Sequence, residues 1–251
     1  MPRLLALTLI LAACGSEAVS DDGPITGSIA ADQTWSGTRE LRGFVTIEPG
    51  VTVTVEPGTT INVVTGASID VEGTLDVRGE KGNVVTLATA PEEYWLGVSV
   101  AGTYTLSYGV QSGGAIITNT AAARVTVTDS ELSNALGDFL IMNDGAMDIQ
   151  FTNVGLAAGD HTHCNIHING AQSITFTHNT NQGVPYGLML YAGAGDFRHN
   201  NWLGNMYDIE PGATGTGTFD DSYFADGLPA GVTGSTFENL SATQLADTGP
   251  R

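Results

Sequence analysis

The chain reads VTIEPG at 45–50 and VTVEPG at 53–58, eight residues apart, and DIEPG again at 208–212. In each case an apolar–polar alternation runs into Pro-Gly. Alternation of period two marks a strand with one buried face. Pro fixes φ and Gly accepts φ > 0, which is the chemistry of a sharp type II turn. The unit is therefore a very short strand ended by a corner. A chain made of such units has few choices: it must stack them.

Lining up the strands reveals a longer period. One apolar column reads Val63, Leu87, Leu106, Val127, Phe151, Phe176, Phe197 and Phe219, spaced 19 to 25 residues apart. A second reads Val55, Val77, Val100, Ile117, Met142, Ile168, Leu190 and Ile209, and a third begins at Ile47 and Val71. Three short strands per period of roughly 22 residues describe a solenoid whose turns stack on one another. The expected fold class is all-β, with about eight coils. Polar residues follow the first column at Asp129, Asn153, His178, His199 and Asp221. At a repeated corner such side chains bond to backbone and to each other, and need no ligand. In this register Phe151, Phe176 and Phe197 are consecutive interior rungs.

Composition agrees and narrows the partners. The chain has 33 glycines, and its 8 basic residues against 27 acidic ones give a net charge of −19. Such a surface repels nucleic acid and anionic headgroups, and favours cations. Lys81 is the only lysine, which argues against a lyase with a lysine base.

The N-terminus, MPRLLALTLILAACGSE, has one positive charge, an apolar run too short to span a bilayer, then small residues and Cys14. This is the layout of a secretory signal peptide. Leu11-Ala12-Ala13-Cys14 resembles the bacterial lipobox, which implies removal of residues 1–13 and lipidation of Cys14. The chain from Cys14 has 238 residues, and loss of Arg3 takes its charge to −20. Residues 14–30 read as a flexible tether. Gly15 follows the cysteine, and the resemblance then implies the outer membrane of a bacterium. Cys164 is left without a disulfide partner.

GTLDVRGEKGNVVTLATAPEEYWLGVSV at 73–100 and ITFTHNT at 174–180 resemble coils of right-handed parallel β-helices, the pectin-lyase-like superfamily. The resemblance covers residues 31–225 and leaves 226–251 as a C-terminal coil, cap or tail. It implies an architecture, and the superfamily hosts enzymes, adhesins and structural proteins alike.

GDHTHCNIHING at 159–170 carries three of the five histidines and one of the two cysteines. Ile166 and Ile168 belong to the second column. Alternation then sends Cys164 inward and His161, His163, Asn165 and His167 outward. His161 and His163, two apart on one strand, are the candidate ligands of a weak divalent-cation site, with Asp160 as a third. His167 lies about 13 Å from His163 along the strand and is out of reach of the same ion. Solvated or stacked histidines are the favoured reading, and no cofactor is expected.

Polysaccharide-cleaving β-helices cluster carboxylates on one parallel sheet. The matching residues here are Asp196, Arg198, Asp208, Glu210 and Asp220, for acid–base work and acidic-sugar binding. An ion pair on an acidic surface is the simpler account. Tyr191 and Trp202 are the candidate aromatic platform for carbohydrate. The sequence thus favours a lipid-anchored envelope solenoid with a non-catalytic structural or ligand-binding role, touching polysaccharide or another envelope protein. A carbohydrate-active enzyme is the alternative, and convergence of the carboxylates in one cleft decides between them.

Overall fold

The computed structural model describes residues 23–251 apart from Ala158 and Ala171. Residues 1–13, which read as a signal peptide, and Cys14 lie outside the described residues. Twenty-six strands wind into a parallel β-solenoid of about nine turns, one more than the sequence suggested. Each turn contributes up to three strands, so the solenoid has three faces. One face is a separate nine-stranded sheet, running from Gln33–Trp35 through Thr103–Ser107 and Ser173–Thr177 to Thr216–Thr218. The other two share a 17-stranded sheet because the long strand Thr38–Ile47 bends from one face into the other.

The first coil starts earlier than expected. Ile25–Ile29 is already a strand paired with Thr38–Ile47, and Ile25 and Ile29 are buried. The tether reading of 14–30 therefore fails from Ile25 onward: two isoleucines four residues apart fit a core better than a linker.

The interior is an aliphatic stack that becomes aromatic toward the later coils. Leu106, Val127, Ile149 and Phe176 pair in register on the nine-stranded face. Ile149, not Phe151, is the rung below Phe176. Phe151 instead sits at the corner with φ 49°, its ring stacked on His178 at 4.7 Å. The corner column reads Tyr108, Asp129, Phe151, His178, His199, Asp221 and Asn239, all with positive φ. Asn153, expected there, lies in a strand instead. The residues that follow the corners turn inward. Thr152 N–H donates to Asn179 Oδ1, Asn179 N–H to Asn200 Oδ1, and Asn200 N–H to Ser222 Oγ, at 2.8, 2.8 and 3.1 Å. This buried ladder satisfies backbone that the short strands leave unpaired.

The second column is also re-registered. Thr118, not Ile117, pairs with Val100 and Met142, while Ile209 pairs with Leu188. Val55 and Val77 belong to the nine-stranded face. Above the last coils the Phe197, Phe219 and Phe237 rings stack at 5.0 Å each. Gly217 makes room: a Cβ there would sit 2.6 Å from Phe219 and 2.8 Å from Phe197.

Residues 245–251 run back along the corner column as a strap. Asn201 exchanges bonds of 2.9 Å with the Leu245 backbone in both directions. Asp247 meets His199 at 2.9 Å, and Gly249 N–H donates to His178 O at 2.9 Å. Arg251 lies over the Phe151 ring, 3.7 Å from its centroid, and grips both oxygens of buried Asp129 at 2.8 Å.

Candidate ligand-binding face

The histidine motif forms the strand Thr162–Ile168, between Gly137–Met142 below and Tyr186–Leu190 above. Strict alternation breaks inside it. Cys164, Asn165 and Ile166 are buried in succession, and the register shifts between Gly137 and Asp138. Asn165, expected outward, turns in and donates to Val154 O at 3.0 Å and Asn181 Oδ1 at 2.9 Å. A bulge that bends the strand at a corner removes the alternation the sequence reading relied on.

The bend sets His163 and His167 on the two oxygens of one carboxylate. Asp138 Oδ1 lies 3.0 Å from His163 Nδ1, and Oδ2 contacts His167 Nδ1. With Nδ1–H on each ring, both imidazoles donate to Asp138, leaving their Nε2 atoms as acceptors. The two histidines expected to be independent are thus joined by a residue that the sequence did not mark. His167 is half-buried and His163 exposed.

His161 is exposed and lines a cleft of about 310 Å³ with Glu92, Tyr94 and Asn134. Asp160 is committed to backbone, accepting from Leu156, Thr162 and Asn134 N–H at 2.9, 2.8 and 3.2 Å. Among the described residues, no group of three or more His, Cys, Asp and Glu is arranged to hold a metal ion. Asp160 therefore does not complete a three-ligand set with His161 and His163. Cys164 is buried and its thiol donates to Ile166 O at 3.0 Å. Burial, reinforced by Asp138, pushes that thiol well above its ordinary range, so it is a weak nucleophile.

Aromatic rings continue the face upward. Asp138, Cys164, Tyr186 and Tyr207 share one column. The His163 and Tyr186 rings are 5.0 Å apart, and Tyr186 and Tyr207 stack at 5.5 Å. Five residues after Tyr186, Tyr191 meets the His167 ring edge-on at 5.3 Å. Hydrogen bonding to Glu210 pushes the Tyr191 phenol up to about 12. Tyr191 and Tyr207 are 39% and 41% exposed, enough for a ligand to touch their rings. Trp202, expected beside Tyr191, is fully buried on another face. It stacks on Phe224 at 5.7 Å and contacts Phe176 at 6.1 Å, and Asn200 before it belongs to the inner ladder.

The remaining carboxylates do not converge. Asp196, at the end of a strand of the nine-stranded face, is closed on Arg198 two residues on, at 2.8 and 2.6 Å. The guanidinium holds that carboxyl below the usual range. Asp220 accepts the Glu238 N–H at 2.7 Å. Asp208 is on the other sheet, buried and bonded to Asn205 at 2.9 Å; burial pushes it up to about 6. Glu210 belongs with Tyr191. No single cleft holds the five residues read as a sugar-cleaving set.

The site that the chain does assemble is thus Asp138, His163, His167, Tyr186, Tyr191, Tyr207 and Glu210. It is an outward face of rings and acceptors spread over four coils. Comparison with protein-family models, with curated proteins and with solved structures finds no match to this chain.

Proposed function

We propose that this chain is a lipid-anchored, cell-envelope β-solenoid that binds carbohydrate without cleaving it. The observation that carries the reading is the exposed tyrosine face, where aromatic rings stand beside acceptor groups on a rigid sheet. Rings that offer apolar area next to a few fixed polar groups suit the faces and hydroxyls of sugars. The separation of the carboxylates onto two faces favours binding over hydrolysis, since glycoside cleavage needs two carboxyl groups flanking one bond. The solenoid supplies a preformed surface, so little ordering is needed on binding.

The lipid reading rests on the sequence around Cys14. Wild-type protein is expected in the detergent phase on phase separation and Cys14→Ser in the aqueous phase. Identical partitioning refutes the anchor. For binding, full-length protein in detergent micelles is screened on a glycan array beside Tyr207→Ala. Retention on a subset of glycans, lost in the variant, is the expected result. No retained glycan, or retention untouched by Tyr207→Ala, refutes carbohydrate binding at this face.

A further inference from the structure

We infer that the group this face selects is cationic: a protonated amine carried by the sugar, as in oligomers of unacetylated amino sugars. The inference rests on the carbohydrate reading above and adds the charge of the ligand. Three observations point the same way. The strands that build the face, Gly137–Met142, Thr162–Ile168, Tyr186–Leu190 and Tyr207–Ile209, contain no lysine or arginine. The face's acidic side chains are Asp138 and Glu210, with Asp208 of the same strands buried. Its rings present π faces and phenol oxygens, which attract an ammonium group.

The two carboxylates differ in what they have left to offer. Asp138 is spent on two imidazoles. Glu210 Oε2 is buried and has no hydrogen-bond partner, and neither has His167 Nε2. A carboxylate oxygen withdrawn from water without a donor is costly, and an ammonium group supplies the donor and cancels the charge. Tyr191 lies against both Glu210 and His167 and is partly exposed. In this inference the amine meets Glu210 beside Tyr191, while the pyranose ring rests on Tyr207. The chain's net charge of −19 draws such a ligand in and turns a uronic acid away.

The test is calorimetric titration of full-length protein in micelles with four probes: glucosamine oligomers, N-acetylglucosamine oligomers, galacturonate oligomers and spermidine. The pH is set where the free amines are protonated. Glucosamine oligomers are expected to bind at least about tenfold more tightly than the acetylated ones, equivalent to ~1.4 kcal/mol. Glu210→Gln should abolish that preference. Tyr207→Ala should weaken both sugars while keeping the ratio. Asp76→Asn, which removes a carboxylate on the nine-stranded face, should change nothing.

Equal or tighter binding of the acetylated or acidic oligomers overturns the charge inference and leaves carbohydrate binding standing. So does a preference that survives Glu210→Gln, or one that falls equally with Asp76→Asn, which would show attraction to the acidic surface as a whole. Spermidine binding that depends on Glu210, with no sugar bound, overturns the carbohydrate reading and keeps the cationic site. Failure of all four probes overturns both.

Discussion

Phe219→Ala is the sharpest test of the packing. The Phe219 side chain is fully buried, parallel to Phe197 within 8° and to Phe237 within 9°, with ring centroids 5.0 Å away on each side. Trp202 meets it edge-on at 6.0 Å. Core Phe→Ala changes cost roughly 3–5 kcal/mol. Each well-placed aromatic pair adds roughly 0.5–1.5 kcal/mol beyond burial. Two parallel partners and an edge contact put this site at the top of the range, about 5 kcal/mol. Gly217 has no Cβ to move into the hole, so the cavity cannot close from that side. In a solenoid each coil leans on its neighbours, so the loss falls first on the coils near the change. Urea unfolding should show the destabilisation. Hydrogen exchange should show amides from about 195 to 240 losing protection before those around Leu41. A loss under about 1 kcal/mol, or protection lost uniformly, would refute the stacked-aromatic account.

Phe151→Ala should cost far less than Phe219→Ala, below about 2 kcal/mol, because the side chain is a half-buried corner residue; parallel urea melts check the ranking. The strap makes stability depend on pH. Arg251 holds Asp129, and His199 holds Asp247, below the ordinary carboxylate range, so their contribution is complete above that range and is lost as pH falls through it. Burial, then nearby His199, holds His178 below its usual value. The folded state therefore favours neutral His178, and stability should already decline as pH drops below ~6.5. Arg251→Ala should lower the melting temperature at pH 7 and flatten its acid dependence; a curve parallel to wild type would refute the pairing. Finally, in a Cys14→Ser background the one remaining thiol, Cys164, should resist alkylation at pH 8 when native and react at once in denaturant. Rapid native labelling would show that it is not buried as described.

The repeat was legible because strand alternation and Pro-Gly corners are local, and each strand repeats them. The columns were not, because coil length varies and corners insert residues that break the count. Phe151 looked like a rung since it continues a run of phenylalanines, but Ile149 has the right offset, two residues before the corner at Phe151 as Phe176 is before His178. Trp202 looked like a surface ring, yet it and the asparagines before it are buried, Asn200 bonding the backbone of the neighbouring coil and Asn201 that of the C-terminal strap. Asp138 was missed for a different reason. It lies 25 residues before His163, and only a register shift brings it under both histidines. A bulge is a tertiary compromise, and nothing in GDF or HCNI announces it. Tyr191 and Glu210 could be named individually, since each is an ordinary outward residue. That they meet follows from the register of two coils, which spacing alone did not fix.

The strap changes how this solenoid can come apart. A stack of coils with only nearest-neighbour contacts frays from its ends, each coil leaving at little more than its own interface energy. Here Arg251 is bonded to Asp129 across 122 residues, and the segment between them holds the corners of His178 and His199. Closing that circuit carries a large loop entropy, but the coils themselves pre-align its ends. Fraying of the later coils must therefore break the clasp on a middle coil at the same moment. The unzipping that a linear array permits becomes a concerted event, with a slower opening rate and a sharper transition.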